Sequence, residues 1–123
     1  MAMSRVLVVD DDPHTCEVVV DILKHVGLAT VCANSDEEAY EILSSPQPIE
    51  ALVVDVNLGA GTTGFDVARF ARQAIPALPV IYVTGRATHE SFLAFGVPNS
   101  VFIEKPFNLD ELAEAVLKRT GRA

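Results

Sequence analysis

The sequence predicts an α/β fold: an open, doubly wound, five-stranded parallel sheet with helices on both faces. Three observations carry this expectation. Strand and helix signals alternate five times from one end of the chain to the other. The strand runs are short and continuously apolar, the pattern of strands covered on both faces. Four of them end abruptly on polar residues: Asp10-Asp11, Asp55, Thr84 and Lys105. Right-handed crossovers pack such repeats into a parallel sheet, and ligands then sit beyond the carboxyl ends of the strands, where strand order reverses.

Val6-Leu7-Val8-Val9 is the first strand, stopped by Asp10-Asp11-Asp12. Asp12 caps the first helix, with Pro13 at its first position, and the helix runs to about Val26. Cys16, Val19, Val20, Leu23 and Val26 share its inner face, and Gly27 ends it. Ala29–Ala33 reads as a weaker edge strand. Ser35-Asp36-Glu37-Glu38 is a capping box opening a helix with Ala39, Ile42 and Leu43 inward, ended by Pro46 and Pro48. Its acidic first turn also suits the helix dipole. Ala51–Val54 is the third strand, and Gly64 to about Ile75 the third helix, halted by Pro76. Val80–Val83 precedes a short helix, Thr88–Phe95, bounded by Gly96 and Pro98. Val101–Ile103 precedes the last helix, Leu109–Arg119, capped by Asn108, with Leu112, Val116 and Leu117 inward.

The 123 residues read as a single domain, 1–123, long enough to build a core without metal or disulfide staples. Cys16 and Cys32 each lie in apolar segments and are expected to be buried thiols in a reducing compartment. Apolar runs are far too short for a membrane span, and no secretory leader precedes Val6, so a cytoplasmic location is expected. A formal charge of −8 repels a phosphate backbone and argues against direct nucleic-acid binding. A dinucleotide-binding fold is excluded because no glycine-rich turn follows the first strand.

The polar strand ends define a chemistry. Three clustered carboxylates repel one another unless a cation sits among them. Oxygen ligands without a nearby His/Cys set favour a hard ion such as Mg2+ over zinc. Thr84 and Lys105 add a hydroxyl and an ammonium, and the set suits a multiply charged oxyanion, commonly phosphate. Asp55, alone at the end of a central strand, is then the candidate nucleophile for an acyl phosphate.

These residues, in this order, resemble the receiver domain of a two-component response regulator, of the chemotaxis-regulator type. The matching residues are Leu7-Val8-Val9-Asp10-Asp11, Asp55, Val83-Thr84-Gly85 and Lys105-Pro106-Phe107, and the similarity spans about Val6 to Lys118. The resemblance implies the flavodoxin-like strand order 2-1-3-4-5. It implies Asp55 as phospho-acceptor, Asp10 and Asp11 as Mg2+ ligands with Asp55, and the Asn57 backbone carbonyl as a further ligand. Thr84 matches the hydroxyl that contacts the phosphoryl group, Lys105 the ammonium, and Lys105-Pro106 a cis peptide. Thr84 and Phe102 match the residues of a conformational switch read on the face formed by the Thr88–Phe95 helix, the last strand and the last helix. The implied partners are a histidine kinase or phosphotransfer protein and a downstream protein or second receiver, with no nucleic acid and no membrane. The domain would signal, catalysing only its own phosphorylation and dephosphorylation.

The chain departs from the family in three places, one of them the Gly96–Ser100 stretch, where Pro98 makes the fourth helix short or irregular. The loop after Asp55 reads Asn57-Leu58-Gly59-Ala60-Gly61-Thr62-Thr63-Gly64, without proline and with three glycines, which suggests greater mobility. Phenylalanine stands at 102 where tyrosine is frequent. The alternative function is a small aspartyl-phosphate phosphatase of the haloacid-dehalogenase type, faintly echoed by Asp10-x-Asp12; the missing later acid pair and the lack of room for a cap domain weigh against it. A degenerate receiver serving only as a docking scaffold is a third reading. His14 reads as a solvated helix residue, and His25 and His89 lack partners at metal spacing. Phe65, Phe70 and Phe107 read as packing residues. Only Thr120–Ala123 follows the last helix, which fits a single-domain regulator or a receiver cut from a longer protein.

Overall fold

The computed structural model describes residues 4–59, 62–85, 89–106 and 108–121. The expectations for Thr88 and Phe107, and part of the glycine-rich loop (residues 60 and 61), lie outside these residues. The elements are β1 (Arg5–Val9), α1 (Pro13–His25), β2 (Thr30–Ala33), α2 (Asp36–Ser44), β3 (Ile49–Asp55), α3 (Gly64–Ala74), β4 (Val80–Thr84), α4 (His89–Phe95), β5 (Ser100–Glu104) and α5 (Leu109–Arg119). All strands are parallel in the order β2-β1-β3-β4-β5. The chain winds from β1 outward to β2, then crosses back to β3, so strand order reverses between β1 and β3. Asp10 and Asp55 stand at that point.

Strand alternation sends side chains into two cores. Leu7, Val9, Leu52, Val54 and Tyr82 face α2 and α3. Val6, Val8, Val53, Ile81 and Val83 face α1 and α5, meeting Cys16, Leu23, Leu112 and Val116. Burial on both faces explains why these strands read as unbroken apolar runs.

Local chemistry sets the helix ends. Asp12 accepts from His14 N at 3.0 Å and from Thr15 Oγ1 at 2.8 Å, holding its carboxyl below the usual range, the Thr15 hydroxyl foremost. Ser35 accepts from Glu38 N at 3.1 Å. A complete capping box opens α3, where Thr63 and Asp66 bond reciprocally.

The two cysteines correct an expectation. Cys16 is fully buried, but Cys32 is only partly so, and the structure joins them in a disulfide, with Cα atoms 6.4 Å apart. Helix α1 lies across β2 and carries Cys16 over the Cys32 strand face. Two separate apolar segments gave no hint of that pairing, because it depends on helix-to-sheet packing.

The turn between α4 and β5 is moored from below. Arg72 of α3 donates to the carbonyls of Leu78 (2.7 Å), Pro98 (2.6 Å) and Asn99 (3.2 Å). The buried Tyr82 hydroxyl accepts from Val97 N at 3.0 Å. Asn99 takes the left-handed conformation, φ 56°, which asparagine tolerates better than most residues.

Candidate functional site

The site lies in a cavity of about 320 Å³ at the carboxyl ends of β1, β3 and β5, walled by Asp10, Asp11, Asp55, Asn57 and Lys105. Strand β1 delivers Asp10 and β3 delivers Asp55, both buried, with side chains 8% and 10% exposed; Asp11 is exposed. Carboxylate oxygens from all three lie within 4.8 Å of one another. Backbone amides hold two of them in place: Asp12 N donates to Asp10 Oδ1 and Asn57 N to Asp55 Oδ1, each at 2.9 Å. Lys105 enters directly from the end of β5, and the Lys105–Pro106 peptide that follows it is cis, as the resemblance implies. Its Nζ donates to Asp55 Oδ2 at 2.9 Å and stands 3.6 Å from Asp10 Oδ2.

Burial raises the Asp10 carboxyl above its usual range; the Asp12 amide and Lys105 oppose this, while the charges of Asp55 and Asp11 add to it. Burial alone would depress the Lys105 ammonium, but its hydrogen bond to Asp55 and the charges of Asp55 and Asp10 outweigh burial and raise it. Three acidic groups face one ammonium. An all-oxygen cluster with surplus negative charge fits a hard divalent cation.

Thr84 ends β4 fully buried, one residue beyond the Asp55–Val83 pairing, and its Oγ1 accepts from Asn57 Nδ2 at 3.0 Å. Phe102 of β5 pairs in register with Tyr82, on the face opposite Ile81 and Val83, and packs on Phe92 with ring centroids 5.2 Å apart. The structure therefore brings Asp10, Asp11, Asp55, Asn57, Thr84 and Lys105 together and sets Phe102 apart, against α4. Phe65 and Phe70 are packing residues as expected: Phe65 lies 5.1 Å from Tyr82 and Phe70 lies 4.6 Å from Tyr40, between ring centroids.

Two contributors escaped the sequence reading. The Asn57 side chain, and not only its backbone, belongs to the site. Gly64, which the sequence places at the junction of loop and third helix, sits directly against the backbone at the end of β3, where its N–H donates to Val56 O at 2.8 Å. The Asn57–Thr63 bridge and a 3.1 Å bond from Thr62 N to Gly59 O order the described ends of that loop. A glycine beside a helix N-cap was the available signal for close approach, but it reads equally well as turn freedom.

This is a doubly wound α/β domain whose switch point gathers three carboxylates, an ammonium and a buried hydroxyl. The chain matches the response regulator receiver domain family over residues 6–117 and belongs to it. It is the receiver domain of a two-component response regulator, a signalling domain. A solved receiver protein from Sinorhizobium medicae shares 30% identity and superposes with a TM-score of 0.90, over 96% of this chain and 94% of that one. An NtrX-like response regulator of Rickettsia bellii is 32% identical over 121 residues, 97% of this chain and 25% of that protein. The transcriptional regulatory protein CrdR of Helicobacter pylori is 32% identical over 94% of this chain and 54% of its own length. The chain thus spans between a quarter and about half of these curated relatives. None of these matches is a phosphatase, and the haloacid-dehalogenase alternative gains no support. No helix among the described residues is long and apolar enough to cross a membrane.

Proposed function

We propose that Asp55 accepts a phosphoryl group from a histidine kinase, a phosphotransfer protein or a small acyl phosphate. The observation that carries this reading is the state of the Asp55 carboxylate. It is buried, fixed by the Asn57 amide on one oxygen and by Lys105 on the other, and faced by the paired acids Asp10 and Asp11. An Asp55 oxygen attacks phosphorus, the bond from phosphorus to the donor's leaving atom breaks, and an acyl phosphate results. Lys105 stays beside the charge that develops on the transferring oxygens. Asp10, Asp11, Asp55 and the Asn57 carbonyl would hold Mg2+, which when bound neutralises phosphoryl charge. Thr84 would then bond the phosphoryl group, and Phe102 would repack against α4. There Leu93 and Phe95 are 69% and 54% exposed, a surface suited to a protein partner. Cytoplasmic placement goes with this reading, as does slow self-catalysed hydrolysis.

Acetyl phosphate with Mg2+ should add one acid-labile phosphoryl group per chain, located on Asp55 by mass spectrometry. Asp55→Asn keeps the shape and removes the nucleophile, so it should take up none; equal labelling of that variant would sink the assignment. Turnover of p-nitrophenyl phosphate should be negligible.

Asp11→Ala should weaken Mg2+ binding by at least the roughly tenfold that loss of an outer-shell partner costs. The same change should slightly stabilise the metal-depleted protein by relieving carboxylate repulsion. Calorimetric titration and urea unfolding in chelator check the two effects, and unchanged Mg2+ affinity would count against the cluster as a metal site.

A further inference from the structure

The proposed function uses only the backbone of Asn57, yet its side chain ties two elements together. Nδ2 donates to Thr84 Oγ1 at 3.0 Å, joining the exposed loop after β3 to the buried end of β4. The loop cannot easily slide away from this contact. Its start is held by Asn57 N on Asp55 Oδ1, and its end by the Asn57–Thr63 bridge and by Gly64 N on Val56 O.

We propose that the Asn57 carboxamide is a positioning residue that latches the Thr84 hydroxyl in its unphosphorylated place, and that a phosphoryl group on Asp55 must break this latch. The proposal rests on reading Asp55 as the acceptor. A carboxamide nitrogen only donates, so the bond occupies an acceptor site of Oγ1 and constrains how the hydroxyl turns. Phosphoryl oxygens on Asp55 would enter the cavity that Asn57 helps to wall. They are charged acceptors, forming hydrogen bonds roughly twice as strong as the neutral amide–hydroxyl contact. Accepting from Asn57 leaves the Thr84 proton able to donate. It is the movement of Oγ1 toward the phosphoryl oxygens, out of reach of Nδ2, that gives up the Asn57–Thr84 bond. Asn57 therefore sets a threshold: the apo state keeps a bond that the phosphorylated state lacks. One neutral hydrogen bond corresponds to about fivefold in an equilibrium constant.

The test is a double-mutant cycle read by binding of beryllium fluoride at saturating Mg2+, followed by NMR. Asn57→Ala keeps the backbone amide and carbonyl and alters an exposed side chain. It should bind beryllium fluoride about fivefold more tightly than the wild type. It should also shift the Thr84 and Phe102 resonances part-way toward their liganded positions before any ligand is added. In a Thr84→Val background, where the hydroxyl is gone but the volume is kept, Asn57→Ala should leave the affinity unchanged. Equal or weaker binding by Asn57→Ala, or the same gain in both backgrounds, overturns the latch while leaving Asp55 as acceptor. No beryllium fluoride binding by the wild type would instead overturn the Asp55 reading, and this proposal with it.

Discussion

Replacing Gly64 by alanine is expected to destabilise the fold by about 2 kcal/mol, within the range of overpacking in a closed site, and to impair phosphoryl uptake at Asp55. An ideal Cβ on Gly64 would lie 2.9 Å from the Asp55 carbonyl carbon and 2.9 Å from Val56 Cα, and closer still to the Asp55 carbonyl oxygen. Those are backbone atoms of a central strand and have no rotamer to escape into. Either the first turn of α3 lifts away, straining the bond from Gly64 N to Val56 O, or the end of β3 shifts and carries Asp55 with it. The melting temperature should fall by roughly 6–10 °C for a domain of this size. Gly85→Ala is the contrast: there a Cβ would meet Lys105 Cβ at 3.5 Å, an ordinary contact, and stability should hold. If Gly64→Ala melts with the wild type, the close packing of α3 on β3 is not what constrains this position.

Lys105→Met should cost about 3 kcal/mol in chelator at neutral pH, because it strands two buried carboxylates without their cation. The wild-type ammonium has a folded pKa raised above the ordinary 10.5. Its stabilisation is therefore complete below about pH 10.5 and is lost as pH rises through the folded value. The gap between wild type and variant, measured by urea unfolding, should accordingly narrow on going from neutral pH to pH 11 and above. The Asp10 carboxyl is raised as well, so its contribution also falls as pH rises, but in the acid range and because its ionised form is the disfavoured one. Its raised carboxyl disfavours the folded state when ionised, so acidification toward its unfolded value of 3.8 should return stability, and more so in Lys105→Met, where Asp10 has lost a neighbouring cation. Saturating Mg2+ should restore more stability to the variant than to the wild type. A gap that stays constant with pH and Mg2+ would show that Lys105 contributes packing and not charge.

The contrast between what the sequence foretold and what it concealed follows the range of the physical signal. Helix α5 runs from Leu109 to Arg119 as expected, since Asn108 caps it and its apolar spacing is local. Asp10, Asp55, Thr84 and Lys105 were legible because each interrupts an apolar strand, and a doubly wound sheet sends all such ends to one rim. The order of β2 to β5 needed the family resemblance, as periodicity does not rank strands. Contacts fixed by packing between elements left no local trace. The Cys16–Cys32 bond depends on how α1 crosses β2. The role of Gly64 depends on how closely α3 approaches β3. The Asn57–Thr84 bond spans 27 positions, and Arg72 looks like any surface arginine of a helix until Leu78, Pro98 and Asn99 close around it.

That arginine has a mechanical consequence. With Arg72 gripping the carbonyls of Pro98 and Asn99 and the Tyr82 hydroxyl holding Val97, the trailing end of α4 is pinned and would be the fulcrum of any tilt of that helix. A seven-residue helix is about 10 Å long, so a tilt of roughly 10° about that end moves its leading turn by nearly 2 Å while Gly96 stays still. The exposed Leu93 and Phe95 sit in the half of the helix nearer the fulcrum, where the arc is shorter. A partner clasping those two side chains would keep its grip through the stroke and sense the movement as a change of angle.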